Sequence, residues 1–185
     1  MTHQILVLDS GGTPQHWVKW KAAVRYRVKG QIAWSFGDES VFHGGLSRLT
    51  GLQTTISVPS IIAVRAAHRM LRRVPPLTNR GLFGRDLHIC GYCGQRFPAE
   101  QLTRDHIVPV SRNGRDAWSN CVTACKRCNN RKDNRLPEEC GMQLLYVPYV
   151  PDRNEALLLQ NRNILAEQMA FLNDYLPRHS RLRLS

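Results

Sequence analysis

The sequence lacks an apolar run long enough to cross a bilayer, and its N-terminus lacks a basic segment followed by an apolar core. A membrane-spanning helix needs about 20 mostly apolar residues, and an export signal needs both of those regions and a cleavage site. We therefore expect a cytoplasmic protein with no membrane partner. Disulfides are rare in that reducing compartment, so the six cysteines are expected to bind metal.

Acidic residues are also scarce, with 14 Asp and Glu against 26 Lys and Arg, for a formal net charge of +12. Such a field attracts polyanions, either nucleic acid or an anionic membrane surface. A basic surface without a specific partner is the alternative interpretation. The sequence shows no internal repeat, homeodomain pattern or Cys₂His₂ finger pattern. Nucleic acid is therefore one natural partner, but the sequence contains no identifiable module that reads a base sequence.

The patterning indicates an α+β chain with three regions. Residues 1–80 read as a small α/β region of uncertain role, with strands in "QILVLD", "QIAWSF" and "TTISVPSIIAV" and a helix in "QHWVKWKAAVRYRVKG". Residues 81–141 contain the cysteines and few long apolar runs, so this region would need a metal to fold. Residues 142–185 predict one long amphipathic helix in "NEALLLQNRNILAEQMAFLNDYL", capped by Asn154, and a basic tail. That helix is the candidate seam of a homodimer.

Two Cys-x-x-Cys pairs, "CGYC" and "CKRC", predict a closed tetrahedral zinc site. Because four thiolates leave no open position for substrate, the zinc is assigned a structural role; a redox pair is the less favoured alternative. The 31 residues between the pairs (94–124) exceed the usual ribbon spacing of about 15–20, which indicates a functional insert. Cys121 could compete as a ligand, but it and Cys140 are expected to be spectator thiols. The predicted zinc ligands are Cys90, Cys93, Cys125 and Cys128.

The insert contains the dipeptide Asp105-His106, and Asn129 follows the second cysteine pair directly. Cleavage of a phosphodiester needs a base that takes a proton from water and a group that neutralises the developing charge. Histidine is the side chain that ordinarily gains and loses a proton near neutrality, so His106 is the candidate base. Asp105 and Asn129 offer the hard oxygen atoms that Mg²⁺ or Mn²⁺ prefers. These residue types predict a metal-assisted hydrolytic site.

The stretch "LTRDHIVPVSRNGRDAWSNCVTACKRCNNRKDNRLPEE" resembles the HNH endonucleases of the ββα-metal (His-Me finger) type, in the version with zinc-stapled knuckles. The resemblance implies that His106 is the general base and that Asp105 and Asn129 hold one catalytic divalent cation. It also implies that Asn120 orients the active loop. The chain has Asp133 where many members of the family have glycine. The function implied is hydrolysis of DNA phosphodiester bonds.

Basic residues surround this motif and are predicted to contact nucleic acid. Three alternatives stay open on the sequence: a zinc-ribbon protein that binds nucleic acid without cutting it, an HNH nuclease that cleaves RNA, and an interaction protein that works through its C-terminal helix. Binding through phosphate would weaken steeply with salt. The predicted contacts are Arg104, Arg127, Arg131, Lys132 and Arg135.

Overall fold

The structure, a computed structural model, describes residues 3–65, 74–161 and 163–183. The chain forms two compact units, the first from Met1–Arg73 and Asn161–Leu176 and the second from Val74–Gln160 and Pro177–Ser185. Each unit contains helices and strands, which agrees with the predicted mixed α and β content. The boundaries placed after residues 80 and 141 stay a prediction. None of the helices described is long and apolar enough to cross a membrane.

The first unit is built on a four-stranded sheet in the order β2-β1-β4-β3. Strand β1 lies inside the sheet, parallel to β4 and antiparallel to β2. Its run Ile5–Leu8 is therefore fully buried, as expected for an apolar strand covered on both faces. The bounds are β1 Ile5–Asp9, β2 Pro14–Val18, β3 Ile32–Leu46 and β4 Gln53–Val64.

Only the second half of the first predicted helix is helical. Helix α1 runs Trp20–Val28, whereas Pro14–Val18 forms strand β2. Pairing with β1, which sets Trp17 opposite Leu6, overrides the helical spacing of the apolar residues because a strand neighbour buries them equally well. Trp20 stacks on Phe42 at 5.1 Å between ring centroids, as core packing.

The single long C-terminal helix was predicted wrongly. Two short helices, α4 Arg153–Gln160 and α5 Ala166–Asn173, replace it, and they belong to different units. Asp152 caps α4 in place of Asn154: its Oδ1 accepts a hydrogen bond from the amide of Glu155 at 2.7 Å, and Glu155 Oε2 accepts from the amide of Asp152 at 2.9 Å. Among the described residues, no continuous helix remains to form the predicted homodimer seam.

The second unit carries the motif on one strand pair and the helix that follows it. Strands β5 Leu102–His106 and β6 Cys121–Cys125 are antiparallel, with His106 opposite Cys121 at one end of the ladder. Helix α3 Lys126–Lys132 follows β6 directly, and α2 Asn79–Arg85 precedes the pair. A small core beneath them contains Leu82, Phe83, Leu102 and Trp118.

A buried ion pair supports the start of β6. Arg85 and Asp86 are both fully buried, and Arg85 Nε lies 2.8 Å from Asp86 Oδ1. The Arg85 guanidinium also donates to the carbonyl oxygens of Trp118, Tyr149 and Cys121, each at 2.8 Å. Asp86 Oδ2 accepts from the amide of Thr123 at 2.8 Å. Neither residue was singled out from the sequence.

Candidate active site

The two Cys-x-x-Cys pairs converge. The Sγ atoms of Cys90, Cys93, Cys125 and Cys128 all lie within 4.8 Å of one another. The first pair lies in a tight turn closed by the amide of Gly94, which donates to the Cys90 carbonyl at 3.0 Å. The second pair spans the junction of β6 and α3. Four thiols at this separation suit the tetrahedral geometry of structural zinc, so the cluster could hold that ion.

The two remaining cysteines stand outside this cluster. Cys140 Sγ donates to the carbonyl of Pro137 at 3.2 Å. Cys121 is buried at the end of β6 and donates to Asp116 Oδ1 at 3.5 Å. Burial raises the pKa of Cys121 to about 11, so its thiol stays protonated near neutrality. The Sγ atom of Cys121 is not one of the four that converge, so Cys121 does not compete for the four-cysteine site.

A groove of about 360 Å³ brings together the residues predicted to carry the chemistry. His106 and Asp105 enter it from the end of β5, and Asn129 and Lys132 enter it from α3. The antiparallel pairing of β5 and β6 and the immediate start of α3 bring these two segments together. Residues separated by more than 20 positions in the chain thus share one site.

Asp105 is 4% exposed, and its carboxylate is held from two sides. Lys132 Nζ donates to Asp105 Oδ1 at 3.1 Å and to the carbonyl of His106 at 2.7 Å. The Tyr92 hydroxyl donates to Asp105 Oδ2. Burial, reinforced by the hydrogen bond to Asp105, raises the pKa of Tyr92 and keeps its proton in place. Lys132 is only 1% exposed, and its ammonium is used by Asp105 and the His106 carbonyl. Its contact with nucleic acid stays a prediction.

Asn129 and Asp105 suit a divalent cation. Asn129 Nδ2 donates to Thr103 Oγ1 at 3.3 Å, which leaves its carbonyl oxygen as the atom suited to a cation. Each carboxylate oxygen has two lone pairs, so Asp105 can accept its hydrogen bonds and still offer a ligand atom. Carboxylate and amide oxygens are the donors that Mg²⁺ and Mn²⁺ prefer.

Asn120 fixes the loop that follows β5. Its Nδ2 donates to the carbonyls of Val108 at 3.0 Å and Arg115 at 2.9 Å. Its Oδ1 accepts from the amide of Val108 at 3.0 Å, and its own carbonyl accepts from the amide of Ile107 at 2.9 Å. One side chain thus ties both ends of the 108–115 segment together beside His106.

We expect Asn120→Ala to destabilise the second unit by about 1–3 kcal/mol, because three hydrogen bonds to the backbone are lost. Urea unfolding of the zinc-loaded protein measures this, and amide exchange at Val108 should accelerate. Asn130→Ala is the matched control, since Asn130 is an exposed residue of α3 and its replacement should change stability by less than about 0.5 kcal/mol. Equal losses in the two variants would contradict the assignment.

His106 is a quarter exposed and has a partner that the sequence did not indicate. Its Nε2 lies 2.9 Å from Asp116 Oδ1. Arg104 Nη1 donates to both oxygens of Asp116 at 2.7 Å. These Arg104 hydrogen bonds are the main cause that lowers the pKa of Asp116, which keeps it ionised. In the sequence, only the position of Asp116 inside the insert, four residues before Asn120, could have indicated that it contacts His106.

Arg104 was predicted to contact nucleic acid, but its donors are used within the protein. Besides Asp116, it donates from Nε to Asn79 Oδ1 at 3.0 Å and from Nη2 to the carbonyl of Leu77 at 3.3 Å. Three other predicted contacts are exposed at or just beyond α3 and can reach a polyanion; they are Arg127, Arg131 and Arg135.

Comparison with known proteins gives a family match to the same segment. Residues 90–145 match the family model described as HNH endonuclease. Over 137 residues the chain is 23% identical to the type IV methyl-directed restriction enzyme EcoKMcrA of Escherichia coli (strain K12). That alignment covers 69% of this chain and 48% of the enzyme, so the chain spans about half the length of this curated relative.

A solved structure also resembles part of the chain. The crystal structure of the type II-C Cas9 enzyme from Actinomyces naeslundii aligns with a TM-score of 0.31 and 26% sequence identity. The alignment covers 51% of this chain and 11% of that one.

Proposed function

We propose, on the premise that residues 90–145 form an HNH endonuclease domain, that the protein is a metal-dependent endonuclease that hydrolyses DNA phosphodiester bonds. The observation that carries the proposal is the groove in which His106, Asp105 and Asn129 lie together. The net charge of +12 and the restriction-enzyme relative support DNA as the substrate. In this proposal β5, β6 and α3 form the ββα core.

His106 acts as the general base that takes a proton from the attacking water. Asp105 and Asn129 would hold Mg²⁺ or Mn²⁺, which when bound neutralises charge on the phosphate and on the departing 3′-oxygen. Lys132 holds the Asp105 carboxylate and the His106 carbonyl in one arrangement. Asn120 keeps the following loop closed.

The four-cysteine cluster would hold the two halves of the site in register when zinc is bound. One pair of thiols belongs to the turn around Cys93, and the other belongs to the β6–α3 junction that carries Asn129 and Lys132. Tyr92 lies between the first two cysteines and donates to Asp105. A displacement of the turn around Cys93 would therefore also displace the hydrogen bond that Tyr92 donates to the Asp105 carboxylate.

Exposed arginines around α3 supply the phosphate contacts in this proposal. Arg127, Arg131 and Arg135 are exposed, and such contacts release counterions and do not depend on base sequence. Binding should therefore weaken as salt rises.

Incubation of the zinc-loaded protein with supercoiled plasmid and Mg²⁺ or Mn²⁺ tests the proposal. His106→Ala should lower the nicking rate by about 10²–10⁴-fold, which is the usual contribution of a general base. His43→Ala, an exposed histidine on β3, is the control and should cleave like wild type. Equal nicking by wild type and His106→Ala would refute the assignment. Tight binding without cleavage in any divalent metal would favour the binding-module alternative.

The same cleavage assay can be run with two further substrates, methylated plasmid and RNA. The relative is described as methyl-directed, so methylated and unmethylated plasmids should be compared. Cleavage confined to methylated plasmid would extend that description to this chain, and equal cleavage would limit the proposal to DNA in general. Faster cleavage of an RNA of matched length would overturn the choice of DNA.

A further inference from the structure

Asp116 connects His106, through Arg104, to the start of α2 in the second unit. The contacts run from Asn79 and Leu77 to Arg104, from Arg104 to both oxygens of Asp116, and from Asp116 to His106 Nε2. Every step is at or below 3.3 Å. The Arg104–Asp116 contact is a charge-assisted pair that uses both carboxylate oxygens, the geometry that gives such pairs their orientation. Arg104 therefore fixes the position of the Asp116 carboxylate beside the His106 imidazole.

The charge state of Asp116 determines which nitrogen of His106 bears hydrogen. An ionised carboxylate can only accept hydrogen bonds, and a neutral imidazole has one donor nitrogen and one acceptor nitrogen. A contact of 2.9 Å between Nε2 and Asp116 Oδ1 thus requires the hydrogen on Nε2. Nδ1 is then the nitrogen with a free lone pair, which a general base needs.

We propose that Asp116, clamped by Arg104, is the positioning residue that holds His106 in the Nε2–H tautomer and leaves Nδ1 to accept the proton from water. The inference rests on the proposed function, since it assigns a supporting role to the same base. When Nδ1 takes the proton, the charge on the ring lies beside the Asp116 carboxylate, which stabilises it. The proton moves from water to Nδ1 and the resulting hydroxide oxygen bonds to phosphorus. The P–O3′ bond breaks, and the departing 3′-oxygen takes a proton from solvent water.

The surroundings of Asp116 argue against a different role as a ligand of the catalytic cation. Its Oδ1 accepts from His106, Arg104 and the Cys121 thiol. Asp116 is also not among the residues that line the groove containing Asp105 and Asn129. The Cys121 thiol stays neutral, since burial raises its pKa to about 11. The carboxylate is thus committed to its hydrogen-bond donors.

The test compares Asp116→Ala and Asp116→Asn with wild type in plasmid nicking at saturating Mg²⁺. Both variants should lower kcat by about 10–100-fold, the effect typical of residues that orient a reacting group. KM should stay within about twofold, because Asp116 does not touch the substrate in this proposal. Glu139→Gln is the matched control: Glu139 accepts from Arg112 with both oxygens at 2.7 and 2.8 Å, in an exposed pair outside the groove. It should leave kcat unchanged.

A second measurement reports the tautomer directly. The ¹⁵N shifts of the imidazole ring distinguish protonated from unprotonated nitrogens, and the signals of His106 are those absent from His106→Gln. Wild type and Glu139→Gln should show hydrogen on Nε2 alone. Asp116→Ala should show a mixture of both tautomers.

The two readouts together decide the proposal. An unchanged kcat in both Asp116 variants overturns it, and so does a lower kcat with an unchanged tautomer, because the role would then be structural. If Asp116→Ala fails to fold, as judged by circular dichroism and zinc content, the near-isosteric Asp116→Asn carries the test. If His106→Ala cleaves like wild type, the proposed function fails instead, while the ring shifts still show whether Asp116 sets the tautomer.

Discussion

Removal of zinc from the four-cysteine cluster is expected to unfold the second unit while the first keeps its protection from hydrogen exchange. The core around Leu82 and Trp118 is small, and the segment between Cys93 and Cys125 has little apolar surface to bury. Structural zinc contributes apparent free energies of about 10–16 kcal/mol in small metal-dependent domains. The first unit has its own core around Ile5, Val7 and Ile62, so its folding does not depend on the thiolates.

Hydrogen exchange with mass spectrometry, with and without a chelator, measures this effect. Peptides from 102–132 should lose their protection, whereas peptides from 53–64 should retain it. Cys128→Ser should reproduce the loss without chelator, because serine cannot supply the thiolate. Cys140→Ser is the control, since Cys140 stands outside the cluster and serine keeps a donor for the carbonyl of Pro137. Protection of 102–132 that survives chelation would contradict a structural zinc.

Arg85→Met is expected to lower the stability of the zinc-loaded second unit by about 3–5 kcal/mol, the usual loss when a buried pair is broken from one side. Methionine fills part of the volume but leaves the charge of Asp86 buried without its partner. It also leaves three carbonyl oxygens, those of Trp118, Cys121 and Tyr149, without a donor. Trp118 lies just before β6 and Cys121 is its first residue. The loss of their hydrogen bonds should therefore also disturb the groove.

Urea denaturation at fixed zinc concentration gives the free energy of unfolding. Arg112→Gln is the matched control, because the pair of Arg112 and Glu139 is exposed at 42% and 41% and such pairs contribute about 0–1 kcal/mol. The double variant Arg85→Met/Asp86→Leu should not recover the loss, since Asp86 also accepts from the amide of Thr123. Full recovery would show that the loss in Arg85→Met comes from the unpaired charge of Asp86 and not from the missing hydrogen bonds to the backbone.

The features that could be predicted from the sequence are those set by local chemistry. Two cysteines three positions apart converge on one ion wherever the chain turns, so the four-thiol cluster follows from spacing. The motif likewise predicted that His106, Asp105 and Asn129 share one site, and they line the same groove. Asn120 was expected to hold the loop, and its contacts with Val108 and Arg115 fit that role.

The features that could not be predicted depend on partners distant in the chain. Arg104 and Lys132 were predicted only as contacts with nucleic acid, because nothing local shows that Arg104 lies beside Asp116 and Lys132 beside Asp105. Arg85 and Asp86 are adjacent charges that would ordinarily be exposed, yet their hydrogen bonds reach residues 33 to 64 positions away. The apolar stripe from Leu158 to Leu176 predicted one helix, but its two halves pack into different units.

This division of the C-terminal segment makes both units discontinuous. Gln168 of α5 donates to the carbonyls of Gln4 and Ser60 at 2.8 Å, so the first unit is completed by residues far beyond its main segment. Ser180 returns to the second unit and donates to Glu155 at 2.6 Å. No single proteolytic cut or stop codon can therefore release either unit whole. A fragment of the second unit ending at residue 160 would lose the contact between Ser180 and Glu155, and deleting residues 74–160 would require a linker to rejoin the first unit.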